Sequence, residues 1–191
     1  MIDPRISIIS KYVNGRVLDM GFCFGHLHEQ IKKITDDVWG IDISYSGNEK
    51  NHIMGDVTDM KFENAFFDVI VAGEIIEHLD SPEKMISECH RVLKSGGILI
   101  LSTPNKKSLL NRILKNYEHQ WHKILFDEKS IRDILYNKFD VISFSHFPFT
   151  SASTSDYGMM RKVKTVFRLF LNIFTPNNFK EDMIIVAKKR L

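Results

Sequence analysis

Two glutamates and a histidine stand close together in the middle of the chain, at Glu74, Glu77 and His78. If this segment is helical, spacings of three and four residues place all three side chains on one face. Carboxylates and an imidazole on one face form part of a coordination shell, and His119 or His122 could add another ligand. A divalent cation lowers the pKa of an oxygen that it binds, so this set predicts chemistry on a hydroxyl group.

The same side chains have two other interpretations. His78 or His122 could remove a proton as a general base without any metal. Glu74 and Glu77 could cap the loop or hydrogen-bond an amino group of a cofactor. If an ion is held here, the mixed nitrogen and oxygen ligands suit Mg, Mn or Zn. The residue types therefore predict either a metal site or a metal-free acid–base site.

A glycine-containing turn, DMGFCFG at residues 19–25, follows the first apolar strand. Parallel α/β sheets bind ligands at the carboxyl ends of their strands, and glycine lets the backbone approach a ligand closely. The dinucleotide pattern G-x-G-x-x-G fails at its second and third glycines, which disfavours a nicotinamide dehydrogenase. The spacing D-x-G-x-G-x-G is met at Asp19, Gly21 and Gly25, with Cys23 in place of the middle glycine.

Apolar strands and amphipathic helices alternate along the chain and would position these groups. Strands are predicted over residues 16–20, 38–43, 52–54, 66–72, 98–102, 139–147 and 183–187, and helices over 3–12, 27–34, 82–93, 107–117, 128–137 and 159–174. Near-continuous apolar strands separated by helices predict a mostly parallel sheet covered on both faces. Ser95-Gly96-Gly97 is expected to stop the 82–93 helix, in which Cys89 is expected to be a packing residue.

Residues 17–135 resemble the class I S-adenosylmethionine (SAM)-dependent methyltransferases, whose first motif has the form D-x-G-x-G-x-G. The segment FDVIVAGEIIEHLDSPEKMISECHRVLKSGGILILSTPN, residues 67–105, resembles the branch that includes the ubiquinone-biosynthesis O-methyltransferases. The set Glu-x-x-Glu-His with a later histidine resembles the small-RNA 3′-terminal 2′-O-methyltransferases, in which two glutamates and two histidines hold a divalent ion. Aligning HKILFDE with the later segment of that family selects His122 over His119.

The resemblance implies SAM as the cofactor. Asp42, at the end of the second strand, would accept hydrogen bonds from the ribose hydroxyls, although it could also cap a turn. Asp56 would contact the adenine amino group, but Gly-Asp is also ordinary turn chemistry. The full set of implied cofactor contacts is Asp19, Gly21, Cys23, Gly25, Asp42, Asp56, Val57 and Gly73.

The implied fold is a Rossmann-like α/β sheet of seven strands in the order 3-2-1-4-5-7-6, with the last strand antiparallel and helices on both faces. We expect one domain over residues 1–191, with 103–138 as a helical insertion on the substrate side. The connection 44–51 is short, so the usual helix there would be reduced to a turn.

The composition is that of a globular protein, with 26 Lys and Arg against 24 Asp and Glu and a net charge of +2, which does not by itself predict a nucleic-acid binder. The two cysteines lie far apart and the N-terminus lacks a signal-peptide layout, so we expect a cytoplasmic setting. The basic amphipathic stretch 159–174 could contact a membrane surface or lipid, or pack on the sheet or against a second copy in a homodimer.

The first hypothesis is a SAM-dependent O-methyltransferase acting on a small molecule, lipid, sugar or nucleic-acid end. Glu74, His78 and His122 would be catalytic, and Glu74, Glu77, His78 and His122 would be the metal ligands. The alternative is a catalytically silent SAM-binding regulatory or assembly subunit, which Cys23 and the short 44–51 connection favour. The sequence does not identify the methyl acceptor.

Overall fold

The computed structural model describes residues 3, 5–23, 26–108, 112, 122–147 and 175–191. Seven strands form one sheet in the order β3-β2-β1-β4-β5-β7-β6, which confirms the predicted order. The strands are β1 Val17–Met20, β2 Val38–Asp42, β3 His52–Met54, β4 Phe67–Gly73, β5 Leu93–Pro104, β6 Phe139–Phe147 and β7 Asp182–Lys189.

Strands β1 to β5 pair in parallel, and β7 runs antiparallel to both of its neighbours, β5 and β6. The carboxyl ends of β1 to β5 therefore lie at one edge of the sheet. Because Asp182 pairs with Pro104, the beginning of β7 lies at that same edge. A ligand site at this edge can draw side chains from distant parts of the sequence.

Among the described residues, four α-helices flank the sheet: α1 Ile6–Ile9, α2 Leu27–Ile31, α3 Pro82–Val92 and α4 Glu128–Leu135. Two single-turn 3-10 helices, Ile76–His78 and Asn177–Phe179, lie in the connections. The first two α-helices are shorter than predicted, and the connection 44–51 has no helix, as predicted. Asp127 and Ser130 form a capping box that begins α4.

Side chains of β1 alternate between two hydrophobic cores, one on each face of the sheet. Leu18 and Met20 pack with α3 and α4, whereas Val17 packs with α1 and α2. Because successive strand residues point to opposite faces, Asp19 shares the α1–α2 face with Val17. Cys89 is fully buried in the first core, so its expected packing role is confirmed.

Strand β5 begins earlier than the sequence predicted. The helix α3 ends at Val92, and the buried Leu93 already pairs with Phe67 before the register shifts to the pair of Val69 and Ile98. Gly96, at φ +71°, lies inside this irregular beginning of the strand. The glycines therefore allow a kink in β5 rather than ending the helix, because Leu93 gains more from core burial than from an extra helical residue.

Some sequence predictions fall outside the described residues. These are the cofactor role of Gly25, the helix over 159–174 and most of the helix over 107–117. The insertion at 103–138 is described in part and stays a prediction. In the described part of the chain, no helix is both long and apolar enough to cross a membrane.

Candidate active site

The turn after β1 is built around Gly21. This residue has φ +75°, a left-handed conformation that glycine adopts without steric cost, and its N–H donates to the Ile41 carbonyl at 2.9 Å. A Cβ atom at this position would lie 3.2 Å from Ile75 Cδ1. The glycine thus lets the turn pass close to the end of β2 and to the segment after β4.

Asp42 fixes this turn from the end of β2. Its carboxylate is 5% exposed, and it accepts hydrogen bonds from Cys23 N at 3.0 Å and from Ser44 N at 2.7 Å. An ionised carboxylate has about four acceptor positions, so Asp42 retains capacity for the two hydroxyls of a ribose. The structure therefore places Asp42 at the end of β2 as predicted, where it also caps the turn before Ser44, the alternative interpretation, and binds the backbone of Cys23.

Cys23 contributes through its backbone rather than its sulfur. Partial desolvation and the nearby Asp42 carboxylate raise the pKa of the Cys23 thiol to about 11. The thiol is therefore protonated at neutral pH and is not a nucleophile. Since the N–H that contacts Asp42 is common to glycine and cysteine, the departure from the glycine pattern leaves this contact intact.

A buried row of hydrogen-bonded polar side chains packs against the turn after β1. Asp19 Oδ2 lies 3.0 Å from His28 Nδ1, and His28 Nε2 lies 2.7 Å from His52 Nε2. The Phe22 ring packs against both imidazoles, at centroid distances of 5.0 and 4.8 Å. Burial raises the pKa of Asp19, and its hydrogen bond with His28 opposes that shift. The Asp19 carboxylate thus anchors helix α2 and β3 beneath the turn.

Asp56 and Val57 follow β3 at the same edge of the sheet. Asp56 is exposed, and its Oδ1 accepts from both the N–H and the hydroxyl of Thr58 at 2.7 Å. This is the turn geometry that the sequence offered as an alternative. Val57 is 5% exposed and belongs to the first core. Their contacts with adenine stay predictions.

Arg5 reaches the ends of β4 and β5 from the N-terminal segment. Its Nη1 lies 3.2 Å from Ser102 Oγ and 3.7 Å from Glu74 Oε1, while Nη2 lies 2.6 Å from Asp3 Oδ2. A Cβ atom on Gly73 would lie 3.0 Å from Arg5 Nη1, so glycine makes room for the guanidinium. Burial lowers the pKa of Arg5, but the neighbouring carboxylates raise it by more, so the net shift is upward.

Glu74 does not join the other predicted metal ligands. It has φ +54°, a strained conformation for a side-chain-bearing residue, and its N–H donates to the Ser102 carbonyl at 3.0 Å. The expectation of one continuous helical face is wrong, because the only helical turn here is the 3-10 helix Ile76–His78. The left-handed residue instead directs the Glu74 carboxylate to Arg5.

Glu77, His78 and His122 come together as predicted, with one potential ligand atom from each within 4.8 Å of the others. The Glu77 side chain is 1% exposed, its Oε2 accepts from the Thr103 hydroxyl at 3.0 Å, and Oε1 lacks a hydrogen-bond partner among the described residues. Burial, reinforced by Glu74, raises the pKa of Glu77 to about 8. An uncompensated buried oxygen beside two imidazoles is a favourable position for a cation.

Backbone hydrogen bonds bring His122 to this position. The N–H groups of Lys123 and Ile124 donate to the Glu77 carbonyl at 2.8 and 3.2 Å. The rings of His78 and His122 consequently lie 5.0 Å apart, centroid to centroid. His119 lies outside the described residues.

Sequence reasoning missed several groups at this edge. Arg5 is one, and the buried histidine pair is another. Asp182 is a third: it is 1% exposed, its Oδ1 lacks a hydrogen-bond partner in the described structure, and burial among other acids raises its pKa. Only the position of Asp182 just before an apolar closing strand could have signalled it.

Comparisons with known proteins identify the family and the fold that this chain resembles. A family model described as a methyltransferase domain matches residues 18–101. The ubiquinone biosynthesis O-methyltransferase of Bradyrhizobium sp. (strain ORS 278) is 27% identical over 145 residues, covering 64% of this chain and 57% of that protein. The chain spans about half the length of the curated relatives it matches, from 41% to 57% for those of Bradyrhizobium, rat and Coxiella burnetii.

Solved structures share the fold. A SAM-dependent methyltransferase from Archaeoglobus fulgidus superimposes with a TM-score of 0.70 at 22% identity, covering 97% of this chain and 91% of that one. Phosphoethanolamine N-methyltransferase 2 of Haemonchus contortus, solved with SAM, gives a TM-score of 0.69 at 16% identity, covering 98% of this chain and 52% of that one. The family match, the sheet order and the curated relatives together make this chain similar to the class I SAM-dependent methyltransferases and, among them, to the ubiquinone-biosynthesis O-methyltransferases.

Proposed function

We propose that this chain transfers the methyl group of SAM to a hydroxyl oxygen. The observation that carries the proposal is the convergence of Glu77, His78 and His122 at the carboxyl edge of the sheet, directly after β4. A hydroxyl is a weak nucleophile until it loses its proton, and this cluster offers groups that can promote that loss. Relatives named for O-methylation in ubiquinone biosynthesis support an oxygen acceptor.

The cofactor would lie along the ends of β1, β2 and β4. Asp42 would accept hydrogen bonds from the ribose hydroxyls, and the Gly21 turn would let the backbone contact the methionine portion. The Arg5 guanidinium beside Gly73 would pair with the methionine carboxylate, while the Gly73 carbonyl would accept from its ammonium group. This placement directs the sulfonium toward the end of β4.

We further propose that Glu77, His78 and His122 hold a divalent cation. The Glu77 Oε1 that lacks a described partner and the two nearby imidazoles fit such an ion. One carboxylate with two histidines suits Zn or Mn better than Mg, which prefers oxygen ligands. When bound, the ion would lower the pKa of the acceptor hydroxyl.

The protein groups have distinct parts in the transfer. Thr103 orients the Glu77 carboxylate, and the backbone of residues 123 and 124 holds His122 beside His78. The acceptor oxygen would attack the methyl carbon while the carbon–sulfur bond breaks and its electron pair returns to sulfur. The hydroxyl proton would pass to an imidazole or to solvent, leaving a methyl ether and S-adenosylhomocysteine.

Methyl transfer can be tested with catechol as a simple hydroxyl acceptor. We expect the purified chain to form S-adenosylhomocysteine and methylated catechol from SAM, and Glu77→Gln to reduce the rate at least tenfold. Glu83→Gln, an exposed glutamate on α3, is the matched control and should leave the rate unchanged. Equal rates in the Glu77→Gln variant and the wild type would contradict the proposed role.

The alternative is a catalytically silent SAM-binding subunit, which two features favour in the sequence: Cys23 and the short 44–51 connection. In the structure, Cys23 does not favour this alternative, because the cysteine contacts Asp42 through the backbone N–H that any residue except proline provides. The short 44–51 connection, which has no helix, is the remaining feature in favour of this alternative.

A further inference from the structure

An open cavity of about 460 Å³ lies beyond the end of β5. Among the described residues, three cations, one acid and two apolar side chains line it: Lys106, Lys107, Arg112, Asp127, Leu125 and Phe179. Its volume is in the range of small-molecule sites. The proposed function uses none of these residues.

The walls of this cavity are held together by one buried side chain. Asn105 Nδ2 donates to the carbonyls of Asn178 and Lys180 at 3.0 and 2.8 Å, and its Oδ1 accepts from Lys107 N at 2.9 Å. The N–H of Lys106 also donates to the Phe126 carbonyl at 2.7 Å. These hydrogen bonds connect the three segments that form the cavity walls, which are the end of β5, the segment before α4 and the 3-10 helix Asn177–Phe179.

The charges in the cavity are unbalanced in favour of cations. Asp127 caps α4 through Ser130 N at 2.9 Å, and its Oδ2 lies 3.5 Å from Lys107 Nζ, so it is already committed to two partners. In the described part of the chain, no ion pair involves Lys106 or Arg112. These two cations are therefore available to a bound anion.

Two short stretches of chain connect the cavity to the cluster of Glu77, His78 and His122. His122 belongs to the cluster, and Leu125, three residues later in the sequence, lines the cavity. Because a chain spans at most about 3.6 Å per residue, the Cα atoms of these two residues lie within roughly 11 Å of each other. On β5, Thr103 contacts Glu77, and Lys106 lies three residues beyond it. A ligand in the cavity is therefore within reach of the transferred methyl group.

We propose that this cavity binds a phosphate group carried by the methyl acceptor, with the apolar body of the acceptor against Leu125 and Phe179. This inference rests on the proposed function, since it identifies the substrate class of the same site. Three cations opposed by one carboxylate match a doubly charged phosphate ester better than a singly charged carboxylate. The phosphate would orient the acceptor so that a hydroxyl faces Glu77 and His122.

The test uses phenyl phosphate as the probe and measures binding to the whole chain by NMR titration at low salt. We expect saturable binding with shifts confined to the cavity, and at least tenfold weaker binding to the Lys106→Glu, Arg112→Glu double variant. The Lys33→Glu, Lys84→Glu double variant, at two exposed lysines, is the charge-matched control and should bind phenyl phosphate like the wild type. Circular dichroism verifies that each variant is folded.

Benzoate and benzyl alcohol distinguish the chemistry of the site. Weaker binding of both than of phenyl phosphate supports the phosphate assignment, whereas benzoate that binds as tightly, or a Lys106→Glu, Arg112→Glu variant that still binds the probe, overturns it. SAM binding is measured on the same samples. If the Lys106→Glu, Arg112→Glu variant loses phenyl phosphate but keeps SAM, the inference holds. If the wild type binds phenyl phosphate in the cavity but never binds SAM, the proposed function fails and the anion site stands.

Discussion

The backbone N–H of Cys23 donates a hydrogen bond to Asp42 Oδ2 across 3.0 Å, joining the turn after β1 to the end of β2. The carboxylate that is expected to hold the ribose therefore also fixes the turn that is expected to hold the methionine portion. Because the donor is a main-chain group, cysteine at the middle position of the glycine pattern keeps this link. This hydrogen bond thus links the two halves of the proposed cofactor site.

Replacing Asp42 by Ala should weaken SAM binding by about 1–3 kcal/mol, because ribose hydroxyls and the Cys23 N–H lose an ionised acceptor. Isothermal titration calorimetry measures the change in Kd. Asp59→Ala, an exposed aspartate after β3, should bind SAM normally. An unchanged Kd in Asp42→Ala would refute the assigned role.

Substitutions at Cys23 separate its backbone from its sulfur. Cys23→Ala keeps the N–H and should bind SAM within about twofold of the wild type. Cys23→Pro removes the donor to Asp42 and should weaken binding at least tenfold, since proline has no N–H. Similar affinities for the two variants, or a large loss in Cys23→Ala, would show that the backbone contact is not what matters here.

His28→Ala should destabilise the fold by about 1–3 kcal/mol, because it leaves the Asp19 carboxyl buried without its partner. The free energy of unfolding, measured with urea, reports the loss. Lys33→Ala, an exposed position following α2, serves as the control. If both variants unfold at the same urea concentration as the wild type, the Asp19–His28 contact does not anchor the turn.

The buried acid Asp182 predicts a pH dependence of stability. Its pKa in the folded chain is raised above the ordinary value of 3.8 by burial and by neighbouring carboxylates. Above pH 4 or so, the unfolded chain has lost this proton while the folded chain retains it, so the free energy of unfolding falls as pH rises, by at most about 1.4 kcal/mol per pH unit.

Asp182→Asn should therefore show a shallower decline than the wild type when urea unfolding is measured from about pH 5 to pH 8. Asp133→Asn, an exposed aspartate on α4, should parallel the wild type. Parallel curves for wild type and Asp182→Asn would be incompatible with a raised pKa at this residue.

The metal proposal predicts a loss of bound ion without loss of fold. After incubation with Zn or Mn and gel filtration, elemental analysis should find close to one ion per wild-type chain and far less in the Glu77→Gln, His78→Ala double variant. Glu83→Gln should retain the ion. A wild type that retains none, or a double variant that retains as much, would eliminate the site.

Much of the fold followed from the sequence because local patterns and the family motif pointed the same way. The family resemblance implied the strand order, whereas apolar strands and short-range motifs placed the turn at Gly21 and the carboxylate of Asp42. The beginning of β5 did not follow from the sequence, because whether Gly96 ends a helix or kinks a strand depends on the pairing of Leu93 with Phe67. That pairing joins distant parts of the chain.

The site was harder to predict where tertiary contacts decide it. The left-handed conformation of Glu74 redirects its carboxylate to Arg5, 69 positions earlier in the sequence, and no spacing rule contains that contact. The pair of His28 and His52 forms because α2 packs on the face of the sheet from which the His52 side chain of β3 projects. Such contacts depend on the assembled fold, so the residues alone could not reveal them.

Calorimetric titration of the purified chain with SAM, and with S-adenosylhomocysteine, tests the central claim most directly. We predict saturable binding of both ligands with a stoichiometry near one, accompanied by a rise in Tm, because a ligand that binds only the folded state stabilises it. Titrations that give neither heat nor a change in Tm with either ligand would contradict the account.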